Sequence, residues 1–206
     1  MVQNKDTKPR GRPRAYDPAV ALNAVLETFW EKGYAATSVD DLCRATGLNK
    51  PSLYAAWGDK HGLYLHALDA YIARVGQGMA MALADVSGGV RPALERVLRQ
   101  AVTLYQGGRG CFLVTTAPAV AWDDETVRQR VQQALSAQDQ LLAGVFHRAG
   151  LDSERGHGTP LAMGAAVSAI LHSLAVRARA GASPEALQAW ASSALDALLG
   201  SDQLRR

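Results

Sequence analysis

Apolar residues recur at three- and four-residue intervals along almost the whole chain, the period of helices that bury one face. Leu22, Val25, Leu26 and Phe29 form one such stripe, with Asn23, Glu27 and Lys32 opposite. Asp17-Pro18 supplies an N-cap and a first-turn proline, and Gly33 a stop, so the spacing predicts a first helix over 18–32. A short second helix begins at Ser38, where Ser38 and Asp41 match an S-x-x-D capping box. It buries Val39, Leu42 and Cys43 and stops at Gly47. A third helix covers roughly 50–56, capped by Asn49, with Pro51 in its first turn and Leu53 and Trp57 facing inward. Asp59 caps a longer fourth helix from about 60 into the low 80s.

Beyond Ser87-Gly88-Gly89 the segments lengthen. A helix over 91–105 ends in Gly107-Gly108-Arg109-Gly110, and a short apolar helix follows at 111–121. A long helix at about 123–148 carries Val127, Val131, Leu135, Leu142 and Phe146, and 150–158 is a polar loop. Helix 160–180 is apolar on nearly every side and so needs cover on nearly every side. The last, 184–199, has its stripe at Leu187, Trp190, Ala191, Ala194, Leu195 and Leu198. No segment sustains the alternation of a strand, and no repeat is visible. The predicted fold class is all-α, with about nine helices.

Composition narrows the class. With 206 residues, 48% hydrophobic and 20% charged, the chain can bury a sizeable core and resembles an ordinary globular protein. Cys43 and Cys111 are too few for a disulfide framework and too far apart in sequence for a zinc cluster. The opening MVQNKDTKPRGRPRAY lacks the apolar core of a signal peptide, and the apolar run 161–176 falls short of the ~20 residues that span a bilayer. A cytoplasmic protein without a membrane partner is expected.

Charge changes the picture only once it is placed. The net +3 divides unevenly. Residues 1–16 hold five bases (Lys5, Lys8, Arg10, Arg12, Arg14) and one acid, a net of +4, leaving the other 190 residues at −1. A basic, Pro/Gly-containing arm of this kind commonly contacts nucleic acid, or serves only solubility.

Directly after that arm, 38–57 reads as two short helices joined by a tight turn, the shape that sets a second helix in a DNA major groove. The second helix offers Lys50, Ser52 and Tyr54 outward, and Ala55 and Ala56 leave little bulk between it and base edges. An ordinary helical hairpin with a solvated face would share this geometry.

The run from Gly11 to Leu68 resembles the DNA-binding domain of TetR/AcrR-type transcriptional regulators. The pieces that carry the likeness are F-W-E-K-G-Y-A-A-T-S, D-L-C-R-A-T-G-L, K-P-S-L-Y-A-A-W and G-D-K-x-x-L-Y, in that order and spacing. The resemblance implies phosphate contacts from Thr37 and Ser38, from Tyr54 in the recognition helix and from Lys60 at the fourth helix. It places Asn49, Lys50, Pro51, Ser52 and Ala55 toward bases or groove, and gives Trp57 a core position usually held by Phe. Arg10, Arg12 and Arg14, in R-G-R-P-R, are similar to an AT-hook core, with minor-groove contact by Arg12 as the hypothesis and an unspecific phosphate-binding arm as the alternative.

The same resemblance implies an arm over 1–16, a DNA-binding domain over 17–62 and an effector-binding and dimerisation domain over 63–206. A homodimer acting on a two-fold, double-stranded operator and answering to a small-molecule effector is expected, more often as repressor than activator. Candidate pocket residues are Tyr105, Cys111, Phe112, Trp122, Phe146, Met163 and His172. Candidate dimer residues are Leu161, Ala165, Ala169, Leu187, Trp190, Leu195 and Leu198. Gly164, Ala165, Ala166 and Ala169 would permit close helix approach.

Cys111 lies where one helix ends and another begins, with Arg109 nearby. Both features lower a thiol pKa, so sensing of oxidants or electrophiles stands as an alternative to simple packing. No lysine follows Lys60, which removes a cysteine–lysine switch within the effector domain. The five histidines show no metal-ligand spacing, and Gly107, Gly108 and Gly110 lack the strand–helix context of a phosphate loop. No enzyme activity, cofactor or metal is expected, and a helical enzyme or binding module without DNA activity is the rival class.

Overall fold

The computed structural model describes residues 16–151 and 158–200. Among them are nine α-helices and no strand: α1 Pro18–Lys32, α2 Val39–Thr46, α3 Lys50–Trp57, α4 Lys60–Ala84, α5 Val90–Leu104, α6 Ala117–Ala121, α7 Glu125–Arg148, α8 Pro160–Arg179 and α9 Pro184–Leu199. The basic arm, including Arg10, Arg12 and Arg14, lies outside the described residues.

Local chemistry accounts for the helix starts. Asp17 accepts from the Ala19 N–H at 2.8 Å, Asn49 from Ser52 at 2.9 Å and Asp59 from Gly62 at 2.8 Å. At α2 the capping box closes both ways: the Asp41 N–H donates to Ser38 Oγ at 3.1 Å, and the Ser38 N–H donates to Asp41 Oδ2 at 2.9 Å. Each such cap contributes about 1 kcal/mol by satisfying amides that the helix leaves orphaned.

The predicted helix over 111–121 is instead two pieces. Residues Phe112–Thr116 form one wide π-type turn, and α6 follows. Pro118 has no N–H to continue an α-helical ladder, so a regular helix cannot run through it. Upstream, Gln106–Gly108 makes a 3₁₀ turn, and Gly110 adopts φ +66 with its α-carbon against α8, where a Cβ would come 2.5 Å from the Ala175 carbonyl.

In α8, Gly164 permits α7 to approach until a Cβ there would lie 2.5 Å from the Asp139 carbonyl. Helix α8 is 20 residues long and apolar enough to cross a membrane by length and composition, which exceeds the shorter run read from the sequence. Half of its apolar stretch is spent inside this fold, against α7, α5 and α9.

An aromatic cluster joins α1 to the rest. Trp30 meets Tyr71 of α4 edge-to-face at 5.0 Å and Phe112 of the π-turn at 6.3 Å. Tyr64 packs on Phe29 at 5.2 Å and on Phe112 at 5.7 Å. Around this joint, Arg109 pairs with Glu27 and lies 4.7 Å from the Trp30 ring, and His61 meets Asp124, the N-cap of α7, at 2.5 Å. Trp30 Nε1 and Tyr64 Oη are buried there without a protein partner. Trp30→Ala should therefore cost about 3–5 kcal/mol, whereas Tyr64→Phe should be neutral or stabilising within about 1 kcal/mol. Urea midpoints of the two variants check this contrast, which fails if the phenylalanine variant loses as much as the alanine variant.

Candidate nucleic-acid interface

The helix pair α2–α3 is held from behind. Leu42 and Leu53 are fully buried against α1 and α4, which leaves the opposite faces of both helices outward. Asp41 ties the N-terminus of α2 to α1 through Lys32 at 2.8 Å and also meets Arg44 at 2.5 Å. The Lys32 ammonium, followed by the Ser38 donors, holds the Asp41 carboxyl well below the usual carboxylate range.

On α3 the exposed positions are Lys50, Pro51 and Ala55, beside the capping Asn49. Tyr54 is half-buried, with the Lys50 ammonium 5.3 Å from its ring, and Ser52 is half-buried. Lys60, in the first turn of α4, sits 4.5 Å over the Tyr34 ring. Lys50, Tyr54 and Lys60 can thus supply a cation, a hydroxyl and a second cation to a phosphate backbone, with little bulk at Ala55.

Two expected contacts change. Thr37 is 1% exposed and its hydroxyl donates to the Gly33 carbonyl at 2.6 Å, so this side chain is spent inside the fold and cannot reach a phosphate. Ser38 is exposed, but its hydroxyl is engaged by Asp41 within the capping box. Trp57 is half-buried and packs at 6.1 Å on Tyr16, at the edge of the small helical unit rather than in its centre.

A cavity of about 200 Å³ opens between α4, α5, α7 and α8, next to Cys111. Of the seven pocket candidates, Tyr105, Cys111 and His172 line it. Phe112 is absorbed by the aromatic joint, while Phe146 and Met163 are buried elsewhere in the core. Trp122 is 82% exposed and does not line this cavity, because the turn after α6 swings it to the surface. A wider crevice of about 590 Å³ runs between Lys32–Ala36 and the 115–124 segment, but it is open and polar-edged. Sequence spacing missed Val75, Gly78, Gln100 and Gln138 of the 200 Å³ cavity, since their places on α4, α5 and α7 acquire meaning only after packing.

Cys111 faces this cavity as a protonated thiol. Burial pushes its pKa up, and the Tyr71 hydroxyl, which donates to Sγ at 3.1 Å, only partly offsets that. Arg109, expected to lower it, is turned away toward Glu27. His172 is held below its ordinary value by burial, with Asp139 opposing, and contacts Gln138 at 3.2 Å.

The dimer candidates also divide. Leu187 and Leu195 point into the chain's own core, beside α5. Leu161, Ala165 and Ala169 form an outward stripe on α8 that Val176 continues, with Leu161 and Val176 each 55% exposed. Trp190 and Leu198 are half-buried on α9, and Arg177 lies 4.6 Å from the Trp190 ring. Among the described residues no group of His, Cys, Asp or Glu could hold a metal ion.

Residues 21–67, which span α1 to α4, match the model of the tetR family of bacterial regulatory proteins. Along nearly its full length the chain is 30% identical to the HTH-type transcriptional repressor BdcR of Escherichia coli, over 201 residues covering 96% of this chain and 97% of BdcR. The chain belongs to the TetR family. It is also 29% identical to the E. coli HTH-type transcriptional repressor ComR over 192 residues, 91% of each chain. Among solved structures, a cysteine mutant of the TetR-family regulator CifR, complexed with 26-bp double-strand operator DNA, superposes with a TM-score of 0.80 at 29% identity, covering 91% of this chain and 99% of CifR. In this TetR-family chain, α2 and α3 are therefore the helix-turn-helix.

The buried, protonated state of Cys111 has a chemical consequence. Thiolate is the reactive form, so at pH 7 Cys111 should react with iodoacetamide much more slowly than half-buried Cys43. Mass spectrometry of native protein after timed alkylation checks the order, and faster labelling of Cys111 would contradict it.

Proposed function

We propose that this chain is a homodimeric transcriptional repressor, released from a pseudo-palindromic operator by a small molecule bound beside Cys111. The observation that carries the DNA-binding role is the α2–α3 pair itself, buried behind and presenting Lys50, Pro51, Tyr54 and Ala55 in front. Its similarity to the repressors BdcR and ComR, and to CifR in complex with operator DNA, supports the same role. Asn49, Lys50, Pro51 and Ala55 face the groove, while Tyr54, Lys60 and the Ser38 end of α2 meet phosphates. Arg10, Arg12 and Arg14 extend the contact along the duplex. The division falls near residue 62, with the effector and dimer functions beyond it.

Two half-sites demand two copies in fixed relation. The outward stripe of α8 with the half-buried Trp190 and Leu198 of α9 is the surface assigned to that pairing. It needs a cover that the single chain does not supply, and its small residues at 165 and 169 permit close approach.

DNA from upstream of the protein's own gene is the natural operator probe, read by fluorescence anisotropy against salt. Lys60→Ala should weaken binding and reduce the slope of log K against log salt by about 1, and Tyr54→Phe should weaken it about tenfold on specific and random DNA alike. Binding to the upstream DNA no tighter than to random sequence would sink the reading. For the dimer face, Val176→Asp should shift sedimentation from dimer to monomer and reduce operator affinity more than 100-fold, since about 3 kcal/mol or more is lost when one half-site binds alone. A dimer unaffected by that charge would place the interface elsewhere.

A further inference from the structure

We infer that the cavity beside Cys111 takes a compact, uncharged molecule, one ring wide, carrying a single hydroxyl or carbonyl group. This rests on the effector reading above and adds the chemical class to it.

Size comes first. About 200 Å³ lies below the roughly 300–1,000 Å³ of sites for drug-sized ligands, and a dry apolar cavity of roughly 150 Å³ already accepts a benzene ring. One ring with a short substituent fills the space. Most of the wall is carbon: Val75, Met79, Val97, Ala101, Leu104 and Leu171.

Charge comes second. No carboxylate lines the cavity, so a cationic ligand would lie unpaired in an apolar site. The one permanent cation at its edge, Arg74, is exposed, donates to Asn23 Oδ1 at 3.2 Å and lies 5.9 Å from the Trp30 ring. His172 is kept neutral by burial and offers no second cation. An anion would therefore find no buried partner either.

Polarity comes third: apart from the exposed side chains of Arg74 and Gln100, it gathers at two poles. At one, the Cys111 thiol is already engaged by Tyr71 at 3.1 Å and by Tyr105. At the other, Gln138 and His172 touch at 3.2 Å through one nitrogen each. That contact leaves the Gln138 carbonyl oxygen to accept from a ligand hydroxyl, or the amide to donate to a ligand carbonyl. A single such group is what this pole can satisfy.

The test uses the full-length protein with benzyl alcohol, benzoate and benzylamine, which share a ring and differ in charge. Isothermal titration should show benzyl alcohol binding at least about tenfold more tightly than either charged analogue. Gly78→Leu should abolish that binding while the thermal midpoint does not fall, because a Cβ at Gly78 meets open space and leucine favours helix over glycine. Gln138→Leu should weaken benzyl alcohol about tenfold and leave toluene unchanged. The inference is overturned if a charged analogue binds as tightly, if none of the three binds at about 10 mM, or if Gly78→Leu binds benzyl alcohol like the wild type. Operator anisotropy separates this from the reading beneath it. Benzyl alcohol that binds the wild type but leaves the operator complex intact supports the ligand class and removes the cavity's effector role.

Discussion

The edge-to-face contact of Trp30 with Tyr71, closed by Phe112, is the constraint on which the arrangement of the molecule depends. It fixes α1, and with it α2–α3, to a body that shares no sheet with it and only one continuous helix, α4. Without this packing α1 would be held to the body mainly by part-exposed ion pairs such as Arg109–Glu27, which contribute about 0–1 kcal/mol each. Buried aromatic area of this size contributes several times that. The angle at which α3 is presented is therefore set by side chains from the π-turn and the middle of α4.

Tyr71 also connects this joint to the cavity. Its ring packs on Trp30 and Phe112, and its hydroxyl donates to the thiol of Cys111, which lines the cavity wall. Phe112 is the next residue after Cys111. A molecule that displaces Cys111 or Tyr71 must change the packing around Trp30, which is itself part of α1. Contiguity alone is not coupling; a ligand shifts the α3 angle only by its differential affinity for two arrangements of this joint, commonly 1–3 kcal/mol.

Caps, glycine stops and 3.6-residue stripes placed α1 to α4, α8 and α9 close to their observed ends, because those signals act within a turn or two of the backbone. The segment after α5 was less legible. Three glycines with positive φ and Pro118 produce a 3₁₀ turn, a π-turn and a short α6, and composition alone cannot distinguish that sequence of turns from one apolar helix. On α3, spacing turned Lys50 outward as observed, whereas Ser52 and Tyr54, also read as outward, are half-buried. The place of Thr37 was not legible, since its hydroxyl turns inward to a carbonyl four residues earlier. For Cys111 a helix start and an arginine argued for a low pKa, but burial dominates and the arginine pairs across the joint with Glu27, in keeping with the packing reading.

The same limit explains the dimer stripe. Leu187 and Leu195 look like interface residues when α9 is read alone, yet they lie on the side that α5 covers. The residues left outward, Leu161, Ala165, Ala169 and Val176, follow one line along α8, with two small alanines between the larger ends. Small residues gain little from burial singly; their value is that two backbones can approach and fix an angle. For a protein that must hold two recognition helices about one DNA turn apart, ~34 Å, a rigid angle matters more than raw apolar area. In the proposed dimer, a close-packed seam at α8 would convert a change of α3 angle in each copy into a change of half-site spacing. A looser, larger interface would absorb the same motion before it reached the DNA.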